Sequence, residues 1–536
     1  MVSRTVRRAL AATAAATLVG SLTLANPAQA DPNNNSVKKL TKAVTLQGVL
    51  RHLDAFQSIA DANGGNRGSG LPGYDASADY VAGLVEDAGY KVTRQPFDFN
   101  FFEEFGSTFT RVAPPPVTNF VDGTHYDLMD YSGAGDVTGL VVPVDLNLTP
   151  PRASTSGCEA SDFAAAVAGK IALLQRGTCP FGQKVANAEA AGAIGAIVMN
   201  QGNGDPVANA DRYELFGGTL GAPVGIPAVS VSYYLGEQFA NTPGLTVRIT
   251  ADTTSEVRST ENIIAETNHG RGDNVVMAGA HLDSEPDTAG INDNGSGSAA
   301  LLEVALQMAE VKPNNQVRFA WWGAEESNLV GSTFYVNSLS EEQLTDIGLY
   351  LNFDMVGSPN YVFGVYDGDD SAQDGSGPGP AGSAQVEDVF EEFFASRGLP
   401  TNAADFTGRS DYGPFIGVGI PAGGLFTGAE GLKTAEDVAK YGGVQGAQYD
   451  PCYHDPCDSL NPVADGGNAA LYAQLDAQYD LYGNVNTFAL DVNADAVATA
   501  VITFAYDTEA VNGVPRSPGK SHGAGKSEDA HGNALL

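Results

Sequence analysis

Apolar strand-like segments alternate with a helical segment between residues 262 and 357, and this alternation constrains the fold more than any other feature. The segments are "NVVMAGAH" (274–281), "SGSAALLEVALQMAEV" (296–311), "QVRFAWWGAEE" (316–326) and "LYLNFDMVG" (349–357). The second has apolar residues at helical spacing, whereas the others have the short apolar runs of buried strands. A strand–helix–strand rhythm predicts a largely parallel sheet with helices on its faces. We therefore predict an α/β fold with a mostly parallel central sheet.

Sheets of this kind carry functional sites at the carboxyl ends of their strands. His281, the pair Glu325–Glu326 and Asp354 all fall at such ends. A carboxylate beside an apolar strand, such as Asp354, is costly to bury unless it is paired or metal-bound. The candidate ligands are His281, Asp283, Asp293, Glu325, Glu326, Asp354 and His454. This nitrogen and oxygen set suits zinc, and cobalt or manganese less well. It exceeds the three protein ligands of a one-metal site, so it predicts two metals sharing a bridging carboxylate.

Each candidate also has a plain structural interpretation. A single histidine after a strand is usually a packed or surface residue, and adjacent glutamates such as Glu325–Glu326 are commonly solvated. His52, in a predicted helix after Val44, is interpreted as a surface or packing residue without an acidic partner. His454 differs because it lies between two cysteines, a stiff placement that suits a ligand.

The four cysteines of the chain are expected to form disulfides, because an even number in an exported protein favours pairing. Four cysteines allow three pairings. The spacings favour the local pairs Cys158–Cys179 and Cys452–Cys457. Free thiols or zinc thiolates are the weaker alternative, since neither pair is a C-x-x-C.

Both ends of the chain are set apart from the folded part. Residues 1–30 have a basic start, an apolar run and an A-x-A end, which indicates a secretory signal peptide. No later stretch is judged apolar enough to span a membrane, so we expect an exported, soluble protein. Residues 513–536 are rich in Gly, Ser, Lys and His and are expected to be a disordered tail. The net charge of −36 argues against partners such as nucleic acid or anionic membranes.

Five short motifs in a fixed order produce a specific resemblance. They are H-x-D at 281–283, an Asp at 293, W-W-G-A-E-E, N-F-D-M and C-Y-H-x-x-C-D. Together they resemble the secreted di-zinc aminopeptidases of peptidase family M28. "GGNRGSGLPGYDAS" (64–77) adds to the likeness, and "GKIALLQRGTCPF" with "GIPAVSVS" resembles a protease-associated (PA) domain.

The resemblance implies a zinc exopeptidase-like fold with a smaller α+β, β-rich PA domain inserted. Residues 31–130 would be the N-terminal part of the peptidase domain, 131–252 the PA domain and 253–512 the main part of the peptidase domain. Residues 100–130, with "APPPV" at 113–117, look like a boundary between them.

The family pattern also implies roles for residues of this chain. His281 and Asp354 would bind one zinc, Glu326 and His454 the other, and Asp293 would bridge both. Asp283 would accept a hydrogen bond from the other ring nitrogen of His281. Glu325 would be the general base, and the Tyr453 hydroxyl would donate a hydrogen bond to the oxyanion.

Substrates with a free N-terminus are implied by the same pattern. The substrate ammonium would meet Glu325, Asp354 and the backbone carbonyl of Arg409. Phe426, in "GGLFTGAE", would form an apolar wall of the first side-chain pocket, so peptides or proteins beginning with Leu, Phe or Met are the expected substrates. Tyr412 stands where relatives carry His, so the rim of the amine-recognition segment can differ.

Several alternatives stay open. A carboxypeptidase would need a basic pocket, to which Arg409 could contribute, and a glutaminyl-cyclase-like enzyme would hold one zinc. A binding or scaffold protein with a decayed site would have lost ligands, whereas all five are present. Calcium is possible, but no ligand is assigned, and a monomer is expected.

Overall fold

A computed structural model of the protein describes residues 34–163, 167–373 and 375–516. The predicted signal peptide over residues 1–30 and the predicted tail beyond residue 516 lie outside the described residues. The strands are β1 (Lys91–Ala113), β2 (Thr118–Asn119), β3 (Tyr126–Leu128), β4 (Gly135–Pro143), β5 (Ile171–Gln175), β6 (Gly195–Met199), β7 (Ala228–Val231), β8 (Thr246–Glu266), β9 (Arg271–His281), β10 (Asn315–Trp322), β11 (Ile347–Phe353), β12 (Gly364–Tyr366), β13 (Asn402–Ala404), β14 (Ala422–Phe426), β15 (Leu481–Tyr482) and β16 (Val485–Asn486).

The α-helices of the described residues cover the sheet and connect its strands. They are α1 (Val37–Ala43), α2 (Leu46–Ala62), α3 (Pro72–Asp87), α4 (Phe181–Ala190), α5 (Tyr233–Ala240), α6 (Gly295–Met308), α7 (Val330–Ser338), α8 (Glu341–Thr345), α9 (Ser383–Ser396), α10 (Tyr412–Gly417), α11 (Ala435–Tyr441), α12 (Ala469–Asp476), α13 (Thr487–Tyr506) and α14 (Glu509–Asn512).

The central sheet has the order β13–β12–β14–β11–β9–β10–β8. The inner strands β14, β11, β9 and β10 are parallel. β8 pairs antiparallel with β10, and β12 pairs antiparallel with β14 but parallel with β13. Trp322 pairs with His281, so β9 and β10 end side by side. The mostly parallel sheet predicted from the sequence is confirmed, and its carboxyl edge gathers the segments that follow β9, β10 and β11.

Alternation along the strands builds a core on each face of this sheet. Phe319 and Trp321 of β10 pack with α2, α3, α6 and α13 on one face, and Trp322 packs with α7 and α10 on the other. Successive side chains of a strand point to opposite faces, so a strand buried on both sides is apolar throughout. This explains why "QVRFAWW" lacks the polar alternation of an exposed sheet.

By length and composition alone, helix α13 could cross a membrane, a feature that the sequence analysis overlooked. In the fold, 78% of its most apolar window is buried, and it packs against α1, α6 and α9. Its apolar character therefore serves the core, since a helix apolar on all sides is typical of a buried position.

The protein has two parts, a peptidase-like part that contains the central sheet with its covering helices and a smaller part that contains β3 to β7. A two-stranded ribbon joins them. β1 and β8 pair antiparallel from Lys91↔Glu266 to Ala113↔Thr246. One end of β8 pairs with β10 of the central sheet and the other with β4. The smaller part has a parallel β4–β5–β6–β7 sheet with apolar cores on both faces. Because β8 runs unbroken across residue 252, the chain passes between the parts within a strand. The domain boundaries themselves stay a prediction.

Both predicted disulfides are present, Cys158–Cys179 in the smaller part and Cys452–Cys457 in a loop at the carboxyl edge of the central sheet. His52 differs from the expectation of a residue without an acidic partner. Its side chain is buried, and its Nε2 lies 3.4 Å from Oε2 of Glu303 on α6. The partner is 251 residues away in the chain, which is why local sequence does not reveal it.

Candidate active site

His281 is the last residue of β9 and is 1% exposed. Its Nε2 lies 3.1 Å from Oδ1 of Asp293 and 3.2 Å from Oδ1 of Asp354. Asp354 directly follows β11, the neighbour of β9, and Asp293 lies just before the start of α6. The three ligand atoms lie within 4.8 Å of one another, so they could hold one metal ion.

The contact between Asp283 and the His281 ring differs from the expected hydrogen bond. The contact from His281 Nδ1 to the backbone carbonyl of Asp283 is 3.1 Å, whereas its distance to the Asp283 Oδ1 is 3.7 Å. The Asp283 carboxylate instead accepts a hydrogen bond of 3.3 Å from the backbone N–H of Glu325. The Asp283 backbone is thus the nearer partner of the histidine, and its side chain steadies the segment after β10.

His454 forms a second cluster beside the first. Its Nε2 lies 3.2 Å from Oε2 of Glu326 and 3.4 Å from Oδ2 of Asp293. Its Nδ1 lies 3.5 Å from Oε1 of Glu285. A carboxylate on the far nitrogen of a histidine ligand fixes the tautomer that can bind a metal. Glu285 carries this contact, although the sequence analysis assigned it no role.

Asp293 is the shared member of the two clusters, because one of its oxygens faces each histidine. Its backbone N–H donates a 2.9 Å hydrogen bond to the buried carboxylate of Asp458. Gly297 allows the start of α6 to approach the end of β11, since a Cβ atom there would meet the carbonyl oxygen of Phe353 at 2.3 Å. The loop is therefore held from both sides with the Asp293 carboxylate between the clusters.

The acidic side chains of the site are crowded and buried, so bound cations would stabilise their charged forms. Burial and the neighbouring acids raise the pKa of Glu325 and of Glu326 well above the usual range. Although burial opposes it, the carboxylates around His454 raise its pKa to about 12. Oε1 of Glu326 is buried without a hydrogen-bond partner. Two imidazoles among buried, crowded carboxylates form a donor set that fits zinc.

Tyr453, Arg409 and Phe426 lie around a cavity of about 420 Å³ that is also lined by the two clusters. The Tyr453 ring stacks on His454 with a centroid distance of 3.8 Å, and its hydroxyl accepts a 3.1 Å hydrogen bond from Arg409. The Arg409 guanidinium also pairs with Glu430 at 2.6 Å. Phe426 ends β14 at the cavity wall. The cavity thus joins every residue predicted for substrate binding.

Two positioning residues were missed by the sequence analysis. Arg67, fully buried between α2 and α3, donates to the carbonyls of Ala289 at 2.8 Å and Gly290 at 2.7 Å. Ser410 donates a hydrogen bond of 2.5 Å to Oδ2 of Asp354. Arg67 lies in "GGNRGSGLPGYDAS", which added to the family resemblance, and Ser410 directly follows Arg409. Neither residue could be assigned a role without tertiary contacts.

Comparison with known proteins identifies the family of this chain. A model of peptidase family M28 matches residues 262–476, and a PA domain model matches residues 137–239. An aminopeptidase of Pseudomonas aeruginosa is 45% identical over 476 residues, which cover 88% of this chain and 83% of that protein. Leucine aminopeptidase 2 of Trichophyton rubrum is 43% identical over 487 residues, covering 89% of this chain and 87% of that protein.

Solved structures share the fold. An aminopeptidase from Aneurinibacillus sp. strain AM-1 superposes with a TM-score of 0.58 at 24% identity, covering 87% of this chain and 95% of that one. A zinc aminopeptidase from Bacillus subtilis gives a TM-score of 0.51 at 23% identity, covering 84% of this chain and 94% of that one. These structures support the α/β architecture with its additional part.

Proposed function

Because this chain belongs to peptidase family M28 and is a metallo-aminopeptidase, we propose that its site holds two zinc ions and removes large apolar residues from peptide N-termini. One observation carries the proposal: the two oxygens of Asp293 face two different histidines, each of which also contacts its own acidic partner. His281 with Asp354 would hold one ion and His454 with Glu326 the other, with Asp293 shared between them.

Zinc at this site would polarise the scissile carbonyl and lower the pKa of a bound water. The residues of the chain would do the rest. Glu325 lies on the loop beside the clusters, with its carboxylate within 4.8 Å of His281 but outside hydrogen-bond distance of both histidines. We assign it no zinc ion, so its carboxylate would be free to take the proton of the attacking water. It would then deliver that proton to the leaving amine. Asp283 positions Glu325 through the backbone hydrogen bond of 3.3 Å.

Charge on the reacting carbonyl oxygen would be stabilised by Tyr453. Its hydroxyl accepts a hydrogen bond from Arg409, which leaves its own proton available for donation. Hydrogen-bond donors held in place before the reaction typically lower barriers by several kcal/mol in such sites (about 3 kcal/mol for one donor).

Tyr453→Phe is expected to lower kcat about 10²-fold because it removes the hydroxyl donor and no metal ligand. Zinc content, measured by elemental analysis, should stay the same as in the unaltered protein. The matched control is Tyr234→Phe, which removes the hydroxyl of an exposed tyrosine in the smaller part and should leave kcat unchanged. Equal kcat values for Tyr453→Phe and the unaltered protein would refute this role.

The free amino group of the substrate would bind to Glu325, Asp354 and the carbonyl of Arg409. The first side chain would lie against Phe426 in the cavity of about 420 Å³, which is large enough for Leu, Phe or Met. The name of the Trichophyton relative agrees with a leucine preference.

Leucine p-nitroanilide is expected to be hydrolysed at least about 10³-fold faster than its N-acetylated form. Acetylation removes the positive charge that buried carboxylates would bind, and the loss of such a charge-assisted contact costs several kcal/mol. Initial rates on the two substrates under identical conditions measure the ratio. Faster cleavage of the acetylated compound would exclude an aminopeptidase.

Two rival activities are disfavoured by particular residues. A carboxypeptidase needs a free cationic side chain for the terminal carboxylate, but Arg409 is already paired with Glu430 and is the only arginine among the described residues lining the cavity. A one-zinc cyclase would not need a carboxylate shared by two histidines. We also propose that the protein is exported through its signal peptide and acts as a monomer.

A further inference from the structure

A second cavity, of about 250 Å³, adjoins the proposed metal site. Glu326 lines both this cavity and the larger one that contains Phe426. A peptide cleaved at the metals must place its first residue on one side of them and the rest of the chain on another. If the larger cavity takes the first residue, the smaller cavity is available to the residue that follows the cleaved bond.

The walls of this cavity come from both parts of the protein. The peptidase-like part supplies Glu285 after β9 and Asn328 after β10, while β1 and the segment after β3 supply Phe102 and Tyr131. The rings of Phe102 and Tyr131 lie 5.7 Å apart. The ribbon and the smaller part therefore complete a pocket that the peptidase-like part alone would leave open.

Tyr131 is held firmly in this wall. Its backbone has a φ of 65°, a left-handed conformation that bulky residues rarely adopt. Its carbonyl accepts hydrogen bonds from the Val224 N–H at 3.2 Å and from the Ser255 hydroxyl at 3.0 Å. Unusual backbone conformations of this kind are found at ligand-binding positions.

The charge of the cavity is one-sided. Four carboxylates line it, and no Lys, Arg or His does so among the described residues; the acids are Asp130, Asp283, Glu285 and Glu326. Asp283 accepts a hydrogen bond from Glu325, and one oxygen of Glu285 faces His454. The Asp130 side chain makes no hydrogen bond within the described chain, so it can meet a cation. An aromatic ring beside one such carboxylate is complementary to the side chain of Lys or Arg.

We propose that this cavity binds the second residue of the peptide substrate and favours Lys or Arg there. The inference rests on the proposed function, and it gives the smaller part a share in substrate selection. Because the attraction is between charges near the surface, it should weaken as salt is added.

The test compares the tripeptides Leu-Lys-Ala and Leu-Glu-Ala, with leucine p-nitroanilide as a reference substrate. At low salt, kcat/KM should be about tenfold higher for Leu-Lys-Ala than for Leu-Glu-Ala. The ratio of the two values should fall at about 0.5 M NaCl, because salt at this concentration screens interactions between charges that are more than a few Å apart. Asp130→Asn should lower the ratio at least about threefold. A ratio within one variant is informative because lost metal or impaired folding lowers both rates equally.

Asp211→Asn is the matched control, since Asp211 is an exposed carboxylate of the smaller part outside the cavity and pairs with Arg212 at 3.0 Å. It should leave the ratio unchanged. A ratio of one in the unaltered protein, or equal ratios in Asp130→Asn and Asp211→Asn, would overturn the inference. If leucine p-nitroanilide itself were not hydrolysed, the proposed function would fail instead, so the two failures can be distinguished.

Discussion

Glu325→Gln is expected to keep both zinc ions and to lose about 10³-fold in kcat, since a positioned general base typically contributes 10²- to 10⁴-fold. The substitution preserves the size of the side chain but removes its ability to take a proton. The carboxylate of Glu325 lies within 4.8 Å of a ring nitrogen of His281 but not within hydrogen-bond distance of either histidine. Because the proposal gives the ions other ligands, metal binding should not depend on Glu325. Zinc content by elemental analysis and kcat on leucine p-nitroanilide measure the two effects separately.

The neighbouring residue provides the matched control. Glu326→Gln makes the same chemical change one position later, but Oε2 of Glu326 lies 3.2 Å from His454 and belongs to the second cluster. This variant should lose zinc as well as activity. If Glu325→Gln also lost zinc, or kept near-normal turnover, the division of roles between the two glutamates would be wrong.

Asp293→Asn is expected to have the largest effect on metal content, from two zinc ions per chain to one or none. The shared carboxylate is the one ligand common to both clusters, and an amide supplies one weaker oxygen donor where two charged oxygens are needed. Activity should fall with the metal. Metal content after dialysis against a weak chelator, compared with that of the unaltered protein, measures the change.

Asp287→Asn controls for the loss of one negative charge from the same loop. Asp287 is exposed and belongs to neither cluster. Its substitution should leave both zinc ions and most activity in place. An Asp293→Asn protein with two tightly held zinc ions would show that the carboxylate does not bridge them.

The strand-end residues could be predicted from sequence because their signal is local. An apolar run followed at once by His281, Glu325 or Asp354 identifies both the strand and the polar residue at its end. The order of the short motifs then supplied His454, which lies far from the others in the chain. The predictions placed all of these side chains at one site, and the structure brings them within contact of one another or around one cavity.

Contacts between distant segments could not be predicted in this way. Arg67 is 215 residues from the Leu282 carbonyl that it binds, and nothing near it in sequence indicates that loop as its partner. The wall that Tyr131 forms beside Glu285 depends on how the ribbon orients the smaller part. Strand β1 was missed at full length because aromatic and proline residues in 100–130 favoured a boundary over a strand. Strand β8 was missed because the predicted domain boundary after residue 252 falls inside it.

The most direct test of the two-metal site is anomalous diffraction at the zinc edge from crystals of the zinc-loaded protein. We predict two peaks about 3.5–4 Å apart, the spacing typical of paired metals. One should contact His281 and Asp354, the other His454 and Glu326, with Asp293 between them. A single peak, or peaks at another acidic group such as Asp367 with Glu387, would contradict the account.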